Sequence, residues 1–147
     1  MEKITLTKPD DWHLHLRGGG AMKSVVGMSA LQMGRGVIMP NLSPPIRNVS
    51  QAIAYRKEIM SALPRGTTFN PLMVLYLTDS TTKNEIIEMS EVQEVHAVKL
   101  YPAGATTNSD SGVTNLSSTY PALEQMQKDG VPLLIHGEVT DNDIDVF

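Results

Sequence analysis

The chain has 147 residues, enough for one domain with a real core, and at 41% hydrophobic and 19% charged it reads as an ordinary globular protein. A net charge of −4 without any basic stripe argues against nucleic-acid binding, and the lack of cysteine excludes a disulfide framework and a thiolate metal site. No apolar run approaches the roughly 20 residues of a membrane span, and Met1-Glu2-Lys3-Ile4-Thr5 has no apolar leader, so a cytoplasmic protein without membrane contact is expected.

In chain order, the apolar run ending in His13-Leu14-His15-Leu16-Arg17 predicts a first strand, and Gly18-Gly19-Gly20 a loop after it. Met22, Val25, Val26 and Ala30 recur at helical spacing over about Met22 to Met33, with Gly34 as the expected stop. Gly36 to Met39 reads as a buried strand ended by Pro40, and the loop from Asn41 to Arg47 carries two prolines. Gln51 to Leu63 is a second predicted helix, Phe69 to Leu77 a third strand, and Lys83 to Met89 a helix entered through Asp79-Ser80. Val95 to Tyr101 is a fourth strand, followed by a loop rich in Thr, Asn, Ser and Gly over Ala103 to Thr114. A last helix, capped by Ser118 or Thr119, runs to Asp129 and stops at Gly130, before a fifth strand over Val131 to His136.

Alternating apolar strands and helices imply a parallel sheet, either doubly wound or a barrel. No G-x-G-x-x-G opens the first helix and no P-loop lysine is present, which disfavours a nucleotide fold. The conspicuous polar residues are His13, His15, Arg17, Asn41, Lys99 and His136. All fall at or just past the C-terminal ends of predicted strands, where a (β/α)₈ barrel places its active site. A barrel is therefore expected.

Strand alternation puts His13 and His15 on one face, where two imidazoles can chelate one divalent metal, and Arg17 just beyond can grip a carboxylate through paired hydrogen bonds. Lys99 lies in the apolar strand His96-Ala97-Val98-Lys99-Leu100-Tyr101. It either snorkels to solvent or has a depressed pKa and reacts with carbon dioxide, the carbamate then being an anionic metal ligand. Parity groups Lys99 with Ala97 and Val95 and leaves His96 on the other face, a structural position. His136 ends the fifth strand as a core residue or a ligand, and the company of the other residues favours a ligand. Asn41 is a polar turn residue on its own. Thr106 and Thr107 belong to an exposed loop or a substrate lid. Asp10 and Asp11 read as a solvated turn, and the acidic run Asp141 to Asp145 has no assigned role.

Together these segments resemble dihydroorotase of the shorter bacterial and fungal type, within the amidohydrolase superfamily. The resemblance rests on Pro9-Asp10-Asp11-Trp12-His13-Leu14-His15-Leu16-Arg17, Met39-Pro40-Asn41-Leu42, Lys99-Leu100-Tyr101-Pro102-Ala103, Ala105-Thr106-Thr107-Asn108-Ser109 and Pro132-Leu133-Leu134-Ile135-His136-Gly137-Glu138. It covers essentially the whole chain. It implies a (β/α)₈ TIM barrel holding two zinc ions. His13, His15 and N6-carboxylated Lys99 would hold the first, with Lys99 bridging to a second that His136 helps to bind. Arg17 and Asn41 would clasp the substrate carboxylate under a loop bearing Thr106 and Thr107. The implied reaction is reversible hydrolysis of L-dihydroorotate to N-carbamoyl-L-aspartate in pyrimidine synthesis, by an enzyme that in full length is a homodimer. Many relatives have aspartate directly after the arginine, where this chain has Gly18.

The family's sixth-strand histidine and eighth-strand aspartate base have no counterpart before Phe147. A (β/α)₈ barrel typically needs about 250 residues, so residues 1–147 are expected to be the N-terminal part of one barrel domain, truncated after about five β/α units and inactive alone. The alternatives are another cyclic-amide hydrolase of the dihydropyrimidinase or hydantoinase kind, and a non-catalytic metal-binding partial barrel.

Overall fold

Five short apolar strands pair side by side in the order in which they occur along the chain. The computed structural model describes residues 3–139; the Asp141 to Asp145 run lies outside them. The strands β1 (Asp11–Leu14), β2 (Arg35–Ile38), β3 (Asn70–Tyr76), β4 (Val95–Leu100) and β5 (Leu133–Ile135) are all parallel. Between them run α1 (Gly19–Gln32), α2 (Val49–Ala62), α3 (Lys83–Ser90) and α4 (Tyr120–Asp129). A doubly wound sheet reverses its strand order at a switch point, and this one does not.

The two faces of the sheet are covered differently. Met22, Val26 and Ala30 of α1, Ala52 and Ile59 of α2, Ile86 and Met89 of α3, and Ala122 and Met126 of α4 share one core with Ile38, Met73, Leu75, Val98 and Leu100. Burial of each larger side chain here contributes about 1.5–3 kcal/mol. The opposite, concave face carries a smaller apolar cluster, Val37, Met39, Leu72, Val74 and Ala97. Helices on one side only, with sequential parallel strands, make the curled wall of a (β/α) barrel over five strands. Among the described residues the outer edges of β1 and β5 have no partner strand, and no helix is long and apolar enough to cross a membrane.

The helix boundaries follow from local chemistry, with some corrections to the sequence reading. Asn48 caps α2 by accepting from the Gln51 N–H, and Thr82 and Glu85 form a reciprocal capping box at α3. Gly130 ends α4 at φ 68°, as expected of a left-handed stop. Gly34 does not play that part for α1. The helix ends because Met33 turns extended, its N–H bonding back to the Ser29 carbonyl. Thr119 holds the N-cap position of α4 but does not cap it with its side chain: a 3-10 turn over Leu116–Thr119 precedes the helix, and the Thr119 hydroxyl donates to the Leu116 carbonyl instead. The glycine run is only partly loop, since Gly18 is the N-cap and Gly19, at φ +57°, begins α1.

Two register shifts re-aim side chains near the site. Between β3 and β4 the pairing steps from Met73↔Val95 to Val74↔Ala97, so β4 advances two residues for one on β3. This bulge at His96 overturns the expected parity. Val95 packs with the helices in the large core, while Ala97 lies on the concave face. His96 is an exposed residue lining the lower concave groove, not a structural residue of the opposite face. A second shift lies between Asp11 and Leu14 of β1. The groove, of about 450 Å³, is lined by Trp12, Val37, Leu72, Ala97 and Leu134 among others.

Candidate functional site

The upper, C-terminal rim of the sheet gathers the sequence-selected residues. His13 and His15 leave β1 with Leu14 and Leu16 turned into the helix-side core, Leu16 completely buried. Their Nε2 atoms stand 3.1 Å apart. The edge of a tetrahedron with metal–nitrogen bonds of ~2.0–2.1 Å is about 3.3 Å, so the pair suits one shared proton or one bound cation. Lys99 is on the concave side of β4, 3% exposed, in register with Tyr76 of β3 and Leu134 of β5. Its Nζ lies 5.2 Å from the Tyr101 ring centre. His136 follows β5, 6.0 Å ring to ring from Tyr101, and its Nε2 is 2.6 Å from a Glu138 carboxylate oxygen.

The electrostatics favour uncharged ligands. Burial pushes the Lys99 ammonium below the ordinary lysine range. His13 is also lowered, first by burial and then by the nearby Lys99; His15 is lowered by burial, then by Arg17 and His13. Neutral imidazoles and a neutral amine are the forms that bind metal or react with carbon dioxide. His15 Nδ1 and Asn41 Oδ1 are both buried without a hydrogen-bond partner. A histidine ligating through Nε2 carries its hydrogen on Nδ1 and donates it to a neighbouring acceptor; the unpaired Oδ1 of Asn41, whose side chain approaches the His15 ring, is such an acceptor. Among the described residues no group of three or more His, Asp or Glu is arranged around a metal position.

Beside the histidines, Arg17 sits just past β1 at φ +62°, and its Nη1 donates to the Asn41 carbonyl at 3.3 Å. Asn41, 2% exposed after Pro40, donates from Nδ2 to the Thr107 carbonyl at 2.8 Å. Thr107 therefore lies against Asn41, while Thr106 is bonded to the Ser109 hydroxyl within the loop. Asp10, expected in a solvated turn, is paired with Arg35, which holds its carboxyl below the usual range, while Asp11 lies within β1.

No family model matches the chain. The dihydroorotase of Cupriavidus necator is 60% identical over 146 residues, 99% of this chain and 42% of that protein. The dihydroorotase of Methylobacillus flagellatus is 58% identical over 98% of this chain and 42% of its own length. The crystal structure of dihydroorotase from Campylobacter jejuni superposes with a TM-score of 0.83 at 38% identity, covering 91% of this chain and 39% of that one. The chain is dihydroorotase-like in sequence and in fold. It spans about two-fifths of the length of these relatives. The Saccharomyces cerevisiae dihydroorotase in complex with 5-fluoroorotic acid gives a TM-score of 0.82 at 34% identity, over 93% of this chain and 38% of that one. An L-hydantoinase from Arthrobacter aurescens, at 12% identity and a TM-score of 0.69, shares the fold.

Sequence reasoning missed several supports of this rim. Tyr76 and Tyr101 stack at 5.1 Å beneath the rim, and the buried Tyr101 hydroxyl has no partner. Burial raises both phenols, Tyr76 to about 12. Asp79 accepts from Thr114 N–H at 3.0 Å and Thr114 Oγ1 at 2.6 Å, anchoring the end of the Ala103 to Thr114 loop. The Tyr55 hydroxyl of α2 donates to the Arg17 carbonyl at 2.5 Å. These contacts link residues 35 or more apart in sequence, or aromatics that read simply as core. Tyr55→Phe strips the donor from a residue held at positive φ. It is expected to cost about 1–2 kcal/mol in urea unfolding, and a midpoint equal to that of the parent would show that the bond contributes nothing.

Proposed function

We propose that the chain contributes to a dihydroorotase site that reversibly hydrolyses L-dihydroorotate to N-carbamoyl-L-aspartate in pyrimidine synthesis. The observation that supports this best is the meeting, on one rim, of the His13–His15 pair, the buried Lys99 and the Arg17–Asn41 pair. His13 and His15 would hold a first zinc ion together with N6-carboxylated Lys99. The carbamate would bridge to a second zinc on His136, whose ring Glu138 steadies. A neutral lysine amine takes up carbon dioxide and releases one proton, a step that the depressed Lys99 pKa favours. When bound, the ions would supply an activated water and polarise the ring carbonyl. In the net reaction water adds across the ring amide: the C–N bond breaks, a C–O bond forms, and the nitrogen gains a proton.

Arg17 and the second Nδ2 hydrogen of Asn41 would grip the ring carboxylate, present in both substrate and product, and so serve orientation. The ring acid bound by the yeast relative is a carboxylate of this kind. Thr106 and Thr107 would cover the substrate from the loop. The same reading places the protein in the cytoplasm and the complete enzyme in a homodimer.

The fold shared with the L-hydantoinase keeps a second reading in play, a hydrolase of uncharged cyclic amides. Arg17 separates the two. With zinc present, dihydroorotate should bind the chain at least tenfold more tightly than dihydrouracil in calorimetry, and Arg17→Ala should remove the preference. A charge-assisted hydrogen bond of about 1.5–3 kcal/mol sets that scale. Equal binding of both ligands, unaffected by Arg17→Ala, would transfer the assignment to uncharged substrates.

A further inference from the structure

We propose that Asn108 is a positioning residue, a latch that makes seating of the Ala103 to Thr114 loop and assembly of the Arg17–Asn41 carboxylate clamp a single event. The inference rests on the carboxylate reading above and extends it to a residue that touches neither the clamp's ligand nor a metal ligand.

The loop is built as one body. Val113 N–H donates to the Tyr101 carbonyl at 2.8 Å, and Ala103 N–H to the Val113 carbonyl at 3.0 Å. Gly104 and Gly112 both donate to the Ser109 carbonyl. Ser109, 1% exposed, ties the turn internally: its hydroxyl donates to the Thr106 carbonyl at 2.6 Å and accepts from the Thr106 N–H at 2.9 Å. A segment so bonded within itself moves as a unit, and its position depends on what its tip touches.

The tip touches Asn41 twice, reciprocally. Asn108 Nδ2 donates to the Asn41 carbonyl at 3.0 Å, and Asn41 Nδ2 donates to the Thr107 carbonyl at 2.8 Å. Tyr76 steadies the tip from below, its hydroxyl donating to the Asn108 carbonyl at 3.4 Å. Asn108 stands at φ +54°, a left-handed conformation that asparagine tolerates better than most side chains.

The Asn41 carbonyl that receives Asn108 also receives Arg17 Nη1. One acceptor, with two lone pairs, thus serves the loop and the clamp together. The Asn41 amide is similarly divided. One Nδ2 hydrogen goes to Thr107, and the other is left for a ligand. Lifting the loop takes from Asn41 both its loop partners and leaves its amide free to turn. Conversely, a carboxylate held by Arg17 and Asn41 fixes that amide in the orientation that holds Thr107.

The test uses the 147-residue chain, ¹⁵N-labelled, with Asn108→Gly and Asn108→Asp. Glycine keeps the left-handed backbone and removes the amide. Aspartate keeps the size but offers only acceptors to a carbonyl. Both should speed water exchange of the Asn41 Nδ2 hydrogens by about three- to tenfold, the scale of one lost hydrogen bond, with the β3 and β4 amides unchanged. Asn108→Gly should also lower the preference for dihydroorotate over dihydrouracil by a similar factor, with zinc affinity unaltered, which a merely structural residue would not do. If the parent prefers dihydroorotate and neither variant alters exchange or preference, the latch is wrong and the carboxylate reading survives. If the parent shows no preference while Asn108→Gly still frees Asn41, the coupling to a carboxylate clamp fails along with that reading.

Discussion

Lys99→Met is expected to stabilise the metal-free chain at neutral pH and to abolish tight zinc binding. Lys99 is 3% exposed, and its ammonium is disfavoured by burial. The unfolded chain therefore binds a proton that the folded chain resists. Because the folded pKa lies below the unfolded one, the parent gains stability as pH rises between the two values, the upper being near 10.4. Methionine, similar in length and without charge, removes this penalty. In chelator the variant should be about 1–3 kcal/mol more stable at pH 7. The advantage should narrow as pH climbs towards the unfolded lysine value, where both states are neutral. With zinc present the order reverses. Loss of the bridging group should weaken binding beyond the 10–100-fold typical of outer-sphere changes, and calorimetry reads this directly. Parent-like zinc affinity in the variant, with no short-chain carboxylic acid added, would falsify the carbamate assignment.

Gly112→Ala is expected to break the loop. A Cβ there would stand 2.4 Å from the Tyr101 carbonyl oxygen, 2.9 Å from the Ser109 carbonyl oxygen and 3.0 Å from the Ala103 nitrogen. All three are backbone atoms, so no side chain can swing away. The Gly112 N–H itself bonds to Ser109, and its neighbour Val113 holds Tyr101. We expect a loss of about 3 kcal/mol in denaturant unfolding, together with loss of amide protection over residues 103–113. Gly20→Ala supplies the contrast. Gly20 is in α1 with nothing within 4 Å of the added carbon, so the change should be neutral or stabilising by about 0.5–1 kcal/mol. Equal behaviour of the two variants would mean that the loop repacks around an alanine at no cost.

Much of this fold was legible in the chain before any coordinates. Apolar strands alternating with helices at 3.6-residue spacing announce a parallel α/β sheet, because each strand must be apolar on both faces to be buried there. His13 and His15 were readable as a chelating pair because side chains alternate along a strand. Arg17, Asn41, Lys99 and His136 stood out as polar groups at strand ends. The capping of α2 by Asn48 and of α3 by Thr82 and Glu85 is local chemistry too, but the sequence reading passed over it.

What failed depended on relations between strands. The bulge at His96 moves Val95 to the helix side, and nothing within β4 shows it, since register belongs to the pair β3–β4. The choice between barrel wall and doubly wound sheet was supported in the sequence by the placing of polar residues and the lack of a nucleotide-binding glycine motif; strand order and one-sided helices decide it physically. The roles of Asp79, Tyr55, Tyr76 and Asn108 rest on contacts across 32 to 67 positions. By itself, then, the sequence singled out the polar residues at the strand ends and the apolar stripes of the helices, because these follow from side-chain type and from the periods of helix and strand. Only the tertiary structure decided which loop lies on which clamp, because hydrogen bonds between distant segments leave no periodic trace in the chain.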